Sequence, residues 1–246
     1  MNHVMLVGAT DGIGLELARV YLARGWRVGL MGRDAAKLDA VAAQLRGEFP
    51  NGTLMTEACD VTDAIRLPGA FESLLAKLGQ ADLVVYVAGV LIEGDGATSV
   101  FADDSAMLAT NALAATHLLG LAANYFAAAR RGHLAAIGSI AGDRGRRRNP
   151  AYNASKAALH AYLEGLRNRL YPLGVRVSTV KPGFVRTRML SGRTAPGAIS
   201  AREAAGLIAR GLDRGRESFY VPWWWGLMGL ALRLTPRAVF KRVGPP

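Results

Sequence analysis

Tyr152 and Lys156 are the residues of this chain whose types and spacing are best suited to proton transfer. They stand four residues apart, after the helix-starting pair Asn149-Pro150, so we expect both side chains on one face of a helix. A lysine ammonium beside a phenol favours the phenolate and lowers a pKa that is ordinarily about 10. Such a phenol could act as general acid in the reduction of a carbonyl group. Catalysis would also require a cofactor site and a group that orients the substrate.

Ser139 could orient a substrate beside that phenol. It follows an apolar segment, residues 133–138, that we predict to be a β-strand. Ligands of open α/β sheets bind outside the carboxyl ends of the strands, where a serine hydroxyl can donate to a carbonyl oxygen. The loop between Ser139 and Tyr152 carries Arg144 and three further arginines at 146–148. These side chains are either solvated or, since guanidinium groups pair with phosphates and carboxylates, part of a site for an anionic substrate.

A glycine-rich turn near the amino terminus is suited to binding a dinucleotide. It follows the apolar segment 5–7 and precedes a segment, 15–23, with the apolar periodicity of a helix. Its glycines would permit a tight turn and a close approach of a pyrophosphate, and the helix N-terminus would supply unpaired amides. A structural turn without a ligand is the alternative. The predicted contacts are Gly8, Thr10, Asp11, Gly12, Ile13 and Gly14.

The spacing Gly-x-x-x-Gly-x-Gly, followed in order by Ser139, Tyr152 and Lys156, resembles the short-chain dehydrogenase/reductase family over residues 4 to about 221. The resemblance implies a nicotinamide cofactor and adds Asn111 to the catalytic residues. In the family, the corresponding asparagine holds a water that relays protons to the lysine; an exposed helix position is the alternative for Asn111. The other implied cofactor contacts are Tyr152 and Lys156 themselves, Asp60, Val61, Ala88, Gly89, Pro182, Gly183, Val185 and Thr187. No metal site is predicted, because the histidines and the single cysteine lack the spacing of metal ligands.

Arg33 favours NADP(H) as the cofactor. A ribose 2′-phosphate prefers an arginine at the end of the second strand, whereas a free hydroxyl usually meets an acidic side chain there. Gly32-Arg33 resembles the NADP(H)-preferring form of the family. Asp34 is expected to cap the following helix instead of contacting the ribose. NAD(H) stays an alternative, because Asp11 is an unfavourable neighbour for a phosphate.

Tyr86 and Val87 depart from the family pattern, which usually has two asparagines before Ala88-Gly89. The amide that would brace the central sheet and the cofactor pocket is therefore lost. We still expect Ala88 and Gly89 to leave the backbone room for the cofactor. The departure bears on bracing of the sheet more than on catalysis.

Apolar strand-like segments alternate with helical ones from Met5 to Val221, which predicts an α/β fold. We expect a single doubly wound Rossmann-type domain, residues 1–222, with a parallel seven-stranded sheet. Residues 103–130 are predicted to be one long helix, and residues 188–200 a mobile loop that closes over the substrate. Residues 223–246 are predicted to form a C-terminal amphipathic helical extension.

The extension combines apolar and basic residues. Three tryptophans, 223–225, precede a leucine-rich run too short to span a bilayer, and Thr235-Pro236 can start a second short helix. Residues 183–246 contain eleven Lys and Arg against three Asp and Glu, in a chain of net charge +11. This composition fits an element lying in a membrane interface, with a substrate-covering or dimer-packing helix as the alternative. Nucleic acid is not expected as a partner, because the tryptophans cluster with leucines and not among the arginines.

These patterns together predict an oxidoreductase that interconverts a ketone or aldehyde and a secondary alcohol. The arginine loop and the apolar extension favour a small-molecule substrate that is anionic or lipid-linked. The single cysteine fits a reducing compartment, so we expect a cytoplasmic protein, peripheral at the inner face of a membrane if the extension binds one. The resemblance implies a homodimer or homotetramer. Two alternatives are a redox sensor or scaffold that binds the dinucleotide without catalysis, and a membrane-recruited interaction protein.

Overall fold

The computed structural model describes residues 2–92, 100–190 and 195–243, in which strands and helices alternate. The strands are β1 His3–Val7, β2 Arg27–Gly32, β3 Leu54–Ala58, β4 Leu83–Tyr86, β5 His133–Ile137, β6 Arg176–Pro182, β7 Val185–Arg186, β8 Ile199–Ser200 and β9 Ser218–Val221. The α-helices are α1 Gly12–Ala23, α2 Ala35–Glu48, α3 Leu67–Leu78, α4 Phe101–Leu108, α5 Ala114–Ala129, α6 Pro150–Leu170, α7 Ala201–Asp213, α8 Trp225–Leu234 and α9 Arg237–Val243.

Seven of the strands form one parallel sheet in the order β3-β2-β1-β4-β5-β6-β9, which confirms the predicted sheet. The order reverses beside β1, whose Val7 lies opposite Met31 of β2 on one side and Tyr86 of β4 on the other. β4 and residues 4–7 of β1 are buried, as expected of strands covered on both faces. The reversal opens a crevice at the carboxyl ends of β1 and β4, where doubly wound sheets bind their ligands.

Helices cover both faces of this sheet. Alternate side chains of each strand point to opposite faces, so Leu6 and Leu30 join one core cluster and Met5 and Val84 join the other. Helices α1, α2 and α7 pack on the first face, and α3, α5 and α6 pack on the second. The sheet is thus held rigidly on both sides, which fixes the positions of its strand ends.

The predicted long helix is interrupted between α4 and α5 by a turn of π-helix, Ala109–Leu113, which the sequence did not predict. Tyr86, buried at the end of β4, donates its hydroxyl hydrogen to the Thr110 carbonyl within this turn at 2.7 Å. The expected loss of bracing at this position is therefore corrected. A tyrosine reaches from the strand end to the helix and supplies a hydrogen bond where the family pattern would have an asparagine.

Residues 101–129 are long and apolar enough to cross a membrane, by length and composition alone. In the structure, however, Ala115, Leu118 and Leu119 of this stretch are fully buried against the sheet. We therefore interpret the stretch as a core helix of the α/β domain.

After β9 the chain forms two helices, α8 and α9, which are separated at Thr235-Pro236 as predicted. Residues 244–246 of the extension lie outside the described residues, as do residues 191–194 of the loop predicted at 188–200. The end of that loop forms β8, which pairs with β7 in a separate two-stranded sheet.

Candidate active site

Helix α6 places Tyr152 and Lys156 on its buried face, where they are 9% and 3% exposed. The helix begins at Pro150, after Asn149 in the left-handed conformation with φ 54°. The Asn153 backbone N–H donates to the Asn149 carbonyl at 3.0 Å, which closes the first turn. The predicted helix start and the common face of the two side chains are confirmed.

The Lys156 ammonium lies beside the phenol ring. Its Nζ is 5.8 Å from the ring centroid of Tyr152 and donates to the Ile137 carbonyl, at the end of β5, at 3.0 Å. Gly89 approaches from the end of β4, and a Cβ there would lie 3.3 Å from Nζ. Burial lowers the pKa of Lys156 to about 8. The side chain is therefore mainly charged at neutral pH, but releases its proton more readily than an exposed lysine.

The phenol of Tyr152 departs from the direction that the sequence led us to expect. Burial raises its pKa, and this outweighs the lowering by a hydrogen bond with Ser139 and by the charge of Arg146. The expectation took account of the neighbouring ammonium alone, whereas removal from water disfavours the charged phenolate. Tyr152 is consequently held as the neutral phenol, the form in which a general acid carries the proton it donates.

Ser139 lies just after β5, as predicted. Its Oγ accepts the Ala141 N–H at 3.1 Å, which caps a turn of 3₁₀-helix, and its side chain acts to lower the pKa of the Tyr152 phenol. Its own N–H donates to Nε2 of His160 at 3.4 Å. The fold thus brings the serine hydroxyl, the phenol and the ammonium of Lys156 together at the carboxyl end of β5.

Asn111 lies in the π turn and is fully buried, so the exposed position considered from the sequence is excluded. Its Oδ1 accepts the Val90 N–H at 2.8 Å, while its Nδ2 donates to the Val90 carbonyl at 2.9 Å and to the Ser155 hydroxyl at 3.1 Å. Ser155 in turn donates to the Tyr152 carbonyl at 2.8 Å. The side chain ties the segment after β4 to α6 beside the tyrosine. The water relay implied by the resemblance stays a prediction.

A buried cluster around Asp143 was not predicted. The Asp143 carboxylate is 2% exposed and accepts hydrogen bonds from Lys181 Nζ at 2.6 Å and from the Tyr220 hydroxyl at 2.7 Å. Lys181 lies near the end of β6 and Tyr220 near the end of β9. Burial and the hydrogen bond to Asp143 raise the pKa of Tyr220 to about 12. The cluster fastens the loop that begins at Ser139 to the ends of two strands.

His160 supports the same loop from α6. Gly138 and Gly142 pack so closely on its ring that a Cβ would lie 2.4 Å and 2.6 Å, respectively, from a ring atom. Burial lowers the pKa of His160 to about 3, so the imidazole is neutral. Its Nδ1 lies 3.9 Å from Asp143, which is too long for a hydrogen bond and, with a neutral ring, is not an ion pair. The ring is a packing support that also accepts the Ser139 N–H.

The glycine turn crosses the carboxyl ends of β1 and β4. Gly8, with φ 87°, is so close to β4 that a Cβ would lie 2.5 Å from the Ala88 backbone, and a Cβ on Gly14 would lie 2.6 Å from the Gly8 oxygen. Gly12 begins α1, and Asp11 accepts its N–H at 2.7 Å. The following amides of the first turn have no partner within the helix. The backbone therefore fits the close approach of a dinucleotide pyrophosphate.

Two cationic side chains, Lys37 and Arg188, lie close to the Asp11 carboxylate. Its carboxylate oxygen is 3.4 Å from Lys37 Nζ and 3.3 Å from Arg188 Nε, so its charge is offset and it is a less unfavourable neighbour for a phosphate than the sequence indicated. Lys37 was not predicted; it lies in the first turn of α2, where Asp34 accepts its N–H at 3.0 Å and caps the helix as expected. Arg33 is exposed at the end of β2.

Asp60 and Val61 follow β3. Asp60 accepts the Thr62 N–H at 2.9 Å and the Thr62 hydroxyl at 2.8 Å, and these bonds, with the charge of Arg33, lower its pKa. Asp60 thus caps a turn at Thr62, and the next helix, α3, begins only at Leu67. Val61 is buried in the second core cluster. The cofactor contact implied for Asp60 stays a prediction.

The segment after β6 lies over the glycine turn. A Cβ on Gly12 would lie 3.0 Å from the methyl group of Thr187, so this threonine is brought to the predicted dinucleotide site. Gly183 packs on Trp225 of the extension, where a Cβ would lie 2.1 Å from the indole. The remaining predicted contacts lie near these elements: Thr10 packs against Gly32, Ile13 is half-buried in the first turn of α1, and Pro182 and Val185 are buried.

Two of the loop arginines hold the extension. Arg144 donates to the carbonyls of Leu232 and, at 2.6 Å, Thr235, and its guanidinium carbon is 3.9 Å from the Phe240 ring centroid. Arg147 donates to a carbonyl of α9 at 3.3 Å. Neither alternative considered from the sequence, solvation or an anion site, therefore describes Arg144 and Arg147. Cations at a helix C-terminus satisfy carbonyls that have no partner within the helix.

Arg146 is the loop arginine whose charge acts on the Tyr152 phenol. Its charge lowers the pKa of Tyr152, and partial burial lowers the pKa of its own guanidinium. Arg148, by contrast, is exposed. The loop thus presents one arginine, Arg146, within electrostatic reach of the proposed reaction centre.

Comparisons with known proteins agree with this geometry. Residues 2–196 match the family model described as short chain dehydrogenase. An uncharacterised oxidoreductase of Mycobacterium tuberculosis is 35% identical over 98% of this chain and 96% of its own length, and an uncharacterised oxidoreductase of Myxococcus xanthus is 31% identical over 96% and 93%. A short-chain dehydrogenase from Sphingobium yanoikuyae, solved in complex with NADPH, matches the structure with a TM-score of 0.82 at 25% identity, over 99% and 96% of the two chains.

Proposed function

This chain belongs to the short-chain dehydrogenase/reductase family of oxidoreductases, and from that membership we propose that it interconverts a ketone or aldehyde and an alcohol with NADP(H), Tyr152 being its general acid and base. The observation that carries the proposal is the convergence of Ser139, Tyr152 and Lys156 beside the crevice at which the strand order reverses. Buried polar groups gathered at a ligand crevice are typical of a reaction centre and costly in a purely structural role.

The residues have separate roles in the proposed reduction. A bound nicotinamide would supply hydride to the carbonyl carbon. The Ser139 hydroxyl donates to the substrate oxygen and holds it beside the phenol, and Tyr152 transfers its proton to that oxygen as negative charge develops there. The charge of Lys156 stabilises the phenolate that remains, and in the oxidative direction that phenolate takes the proton back. Asn111 positions the tyrosine by holding α6 against the segment at Val90.

Turnover of NADPH with a carbonyl panel tests this function. We expect the purified protein to oxidise NADPH in the presence of at least one ketone or aldehyde from a broad panel. Binding of NADPH without oxidation by any member of the panel would favour the alternative, a redox sensor or scaffold. The oxidoreductase relatives and the intact Ser139, Tyr152 and Lys156 support catalysis.

We propose NADP(H) as the preferred cofactor, on the basis of Arg33 and Lys37 near the end of β2. The relative solved with NADPH supports this choice. Arg33→Ala should raise the Kd of NADPH about tenfold to a hundredfold, because a charge-assisted hydrogen bond contributes about 1.5–3 kcal/mol. The Kd of NADH should change less than about threefold in the same fluorescence titration. Arg202→Ala, at an exposed position on α7, is the matched control. Equal losses for the two nucleotides would contradict the preference.

We propose an anionic and amphiphilic or lipid-linked substrate, because the charge of Arg146 lowers the pKa of the phenol and the apolar extension adjoins the loop. Arg146→Gln should raise KM for an anionic ketone about tenfold and leave KM for a neutral ketone unchanged, since one charged contact is lost. Arg148→Gln, an exposed change in the same loop, should alter neither value beyond about twofold. An equal rise for neutral and anionic ketones would show that Arg146 only shapes the loop.

We also propose that the protein forms an even-numbered homo-oligomer and that it is located in the cytoplasm. Leu108 and Leu113 are 42% and 65% exposed on the helical stretch that carries Asn111, and this apolar surface supports packing against a second copy, as the family resemblance implies.

A further inference from the structure

Helix α8 presents an apolar face outward, the reverse of an ordinary surface helix. Leu227, Met228, Leu230 and Leu234 are 64%, 50%, 47% and 72% exposed, and Trp223 just before the helix is 70% exposed. The apolar stripe of a surface helix normally faces the core. A contiguous exposed stripe of this kind marks a surface that binds something.

The inward face of α8 explains why the leucines point outward. Gly229 packs against Tyr220 so closely that a Cβ would lie 2.8 Å from the phenol oxygen, and Gly226 lies against the same ring. Leu232 is buried, and Arg144 holds the end of the helix through the carbonyls of Leu232 and Thr235. Rotating the helix would force leucines into a space that only glycine fits. The outward direction of the stripe is therefore fixed by the fold.

The charges beside the stripe favour an anionic bilayer over a second copy of the chain. The extension contains Arg233, Arg237, Lys241 and Arg242 and no Asp or Glu, and all four cations are exposed. A two-fold contact would set this patch against itself and bring like charges together. Anionic headgroups would complement the same cations. Tryptophan and leucine beside basic residues are typical of elements that lie in the interface, and α8 is too short to span a bilayer.

We propose that the α8 face, defined as Trp223, Leu227, Met228, Leu230 and Leu234, docks in the interface of an anionic phospholipid bilayer, with the basic residues of α9 among the headgroups. The docking rests on this surface and not on the proposed reaction. The same element reaches the active site, because Trp225 packs edge-on against Phe184 with 5.3 Å between ring centroids and on Gly183. Docking would therefore bring the segment after β6, which lies over the glycine turn, close to the bilayer surface.

Vesicle flotation tests the apolar contribution. The full chain should float with vesicles of phosphatidylcholine and phosphatidylglycerol and bind pure phosphatidylcholine more weakly. Leu227→Gln/Leu230→Gln/Leu234→Gln should lower the partition coefficient by at least about tenfold, because the apolar area of the three leucine side chains is no longer buried in the interface. The matched control is Ile65→Gln/Phe101→Gln, at apolar positions that are 93% and 85% exposed elsewhere, and it should float like the wild type. Thermal unfolding and the Kd of NADPH check that each variant is folded.

The charge contribution is tested in the same assay at low salt. Lys241→Gln/Arg242→Gln should weaken binding about fivefold for each charge removed. Arg202→Gln/Arg214→Gln, in α7 and immediately after it, removes the same charge and should change binding less than about twofold. The proposal is overturned if the wild-type chain does not float with anionic vesicles, or if test and control variants change alike. It is also overturned if the leucine variant instead converts a dimer to a monomer in sedimentation and the wild type ignores vesicles, which would assign the face to a second copy.

Discussion

Tyr152→Phe should lower kcat about a hundredfold to ten-thousandfold, the range that general acid catalysis contributes. The substitution removes only the hydroxyl and leaves a ring that still packs against Met107 and Ala141. The Kd of NADPH should stay within about threefold of wild type, since the glycine turn and Arg33 are unchanged. Steady-state kinetics on the best carbonyl of the panel and a fluorescence titration give the two values.

Tyr162→Phe is the matched control for this change. Tyr162 lies on the same helix and donates its hydroxyl hydrogen to the Thr116 carbonyl at 3.0 Å, away from the reaction centre. Its loss should cost stability of about 1 kcal/mol and leave most of the turnover. A Tyr152→Phe enzyme that keeps more than about a tenth of the wild-type rate would refute the role of the phenol as proton donor.

Asp143→Ala should lower the free energy of unfolding by about 3–5 kcal/mol, because it leaves the largely buried Lys181 ammonium without its partner. Turnover should fall as well, since the loop that begins at Ser139 loses its attachment to β6 and β9. The pKa of Tyr220 should also move down from about 12, because the carboxylate that accepts its hydrogen bond contributes to raising it. Urea unfolding and a spectroscopic titration of the tyrosines measure the two effects.

Two companion variants separate the charge from the shape of Asp143. Asp143→Asn keeps an acceptor for Tyr220 and should be intermediate in stability. Asp143→Ala/Lys181→Met removes the stranded ammonium and should recover part of the loss. Unfolding free energies of Asp143→Ala and wild type that agree within about 1 kcal/mol would show that the cluster is not an anchor of the loop.

The strands, the glycine turn and the face shared by Tyr152 and Lys156 could be predicted because their signals are local. Residues 4–7 and 83–86 are continuous apolar runs, and their burial on both faces of the sheet follows from that pattern. The pair Asn149-Pro150 marks a helix start without any knowledge of the tertiary structure. Short-range steric rules are sufficient for elements of this kind.

The Asp143 cluster could not be predicted, because Asp143, Lys181 and Tyr220 come from three segments and meet only in the fold. The π turn escaped prediction for a related reason: its brace, Tyr86, lies in a distant strand. The direction of the Tyr152 pKa depends on burial, a tertiary quantity that a pair of neighbouring residue types does not reveal.

The arginine loop shows how composition alone misleads. Its four arginines have the same charge in sequence, yet Arg144 satisfies carbonyls at the end of α8 while Arg146 acts on the phenol. A carbonyl left open at a helix end can accept hydrogen bonds from a guanidinium, as a substrate anion can. The position of the extension decides whether a loop arginine binds helix carbonyls or is left to bind a substrate anion.

The structure of the full chain with bound NADPH is the most direct test of the central claim, that Tyr152 transfers a proton at the place where the nicotinamide delivers hydride. We expect the Tyr152 and Ser139 hydroxyls to face the C4 edge of the nicotinamide, each within about 2.6–3.2 Å of a single point that a substrate oxygen can occupy. We also expect the Lys156 ammonium beside the phenol. A phenol that points away from C4, or that lies beyond hydrogen-bond reach of any such point, would contradict the enzyme mechanism.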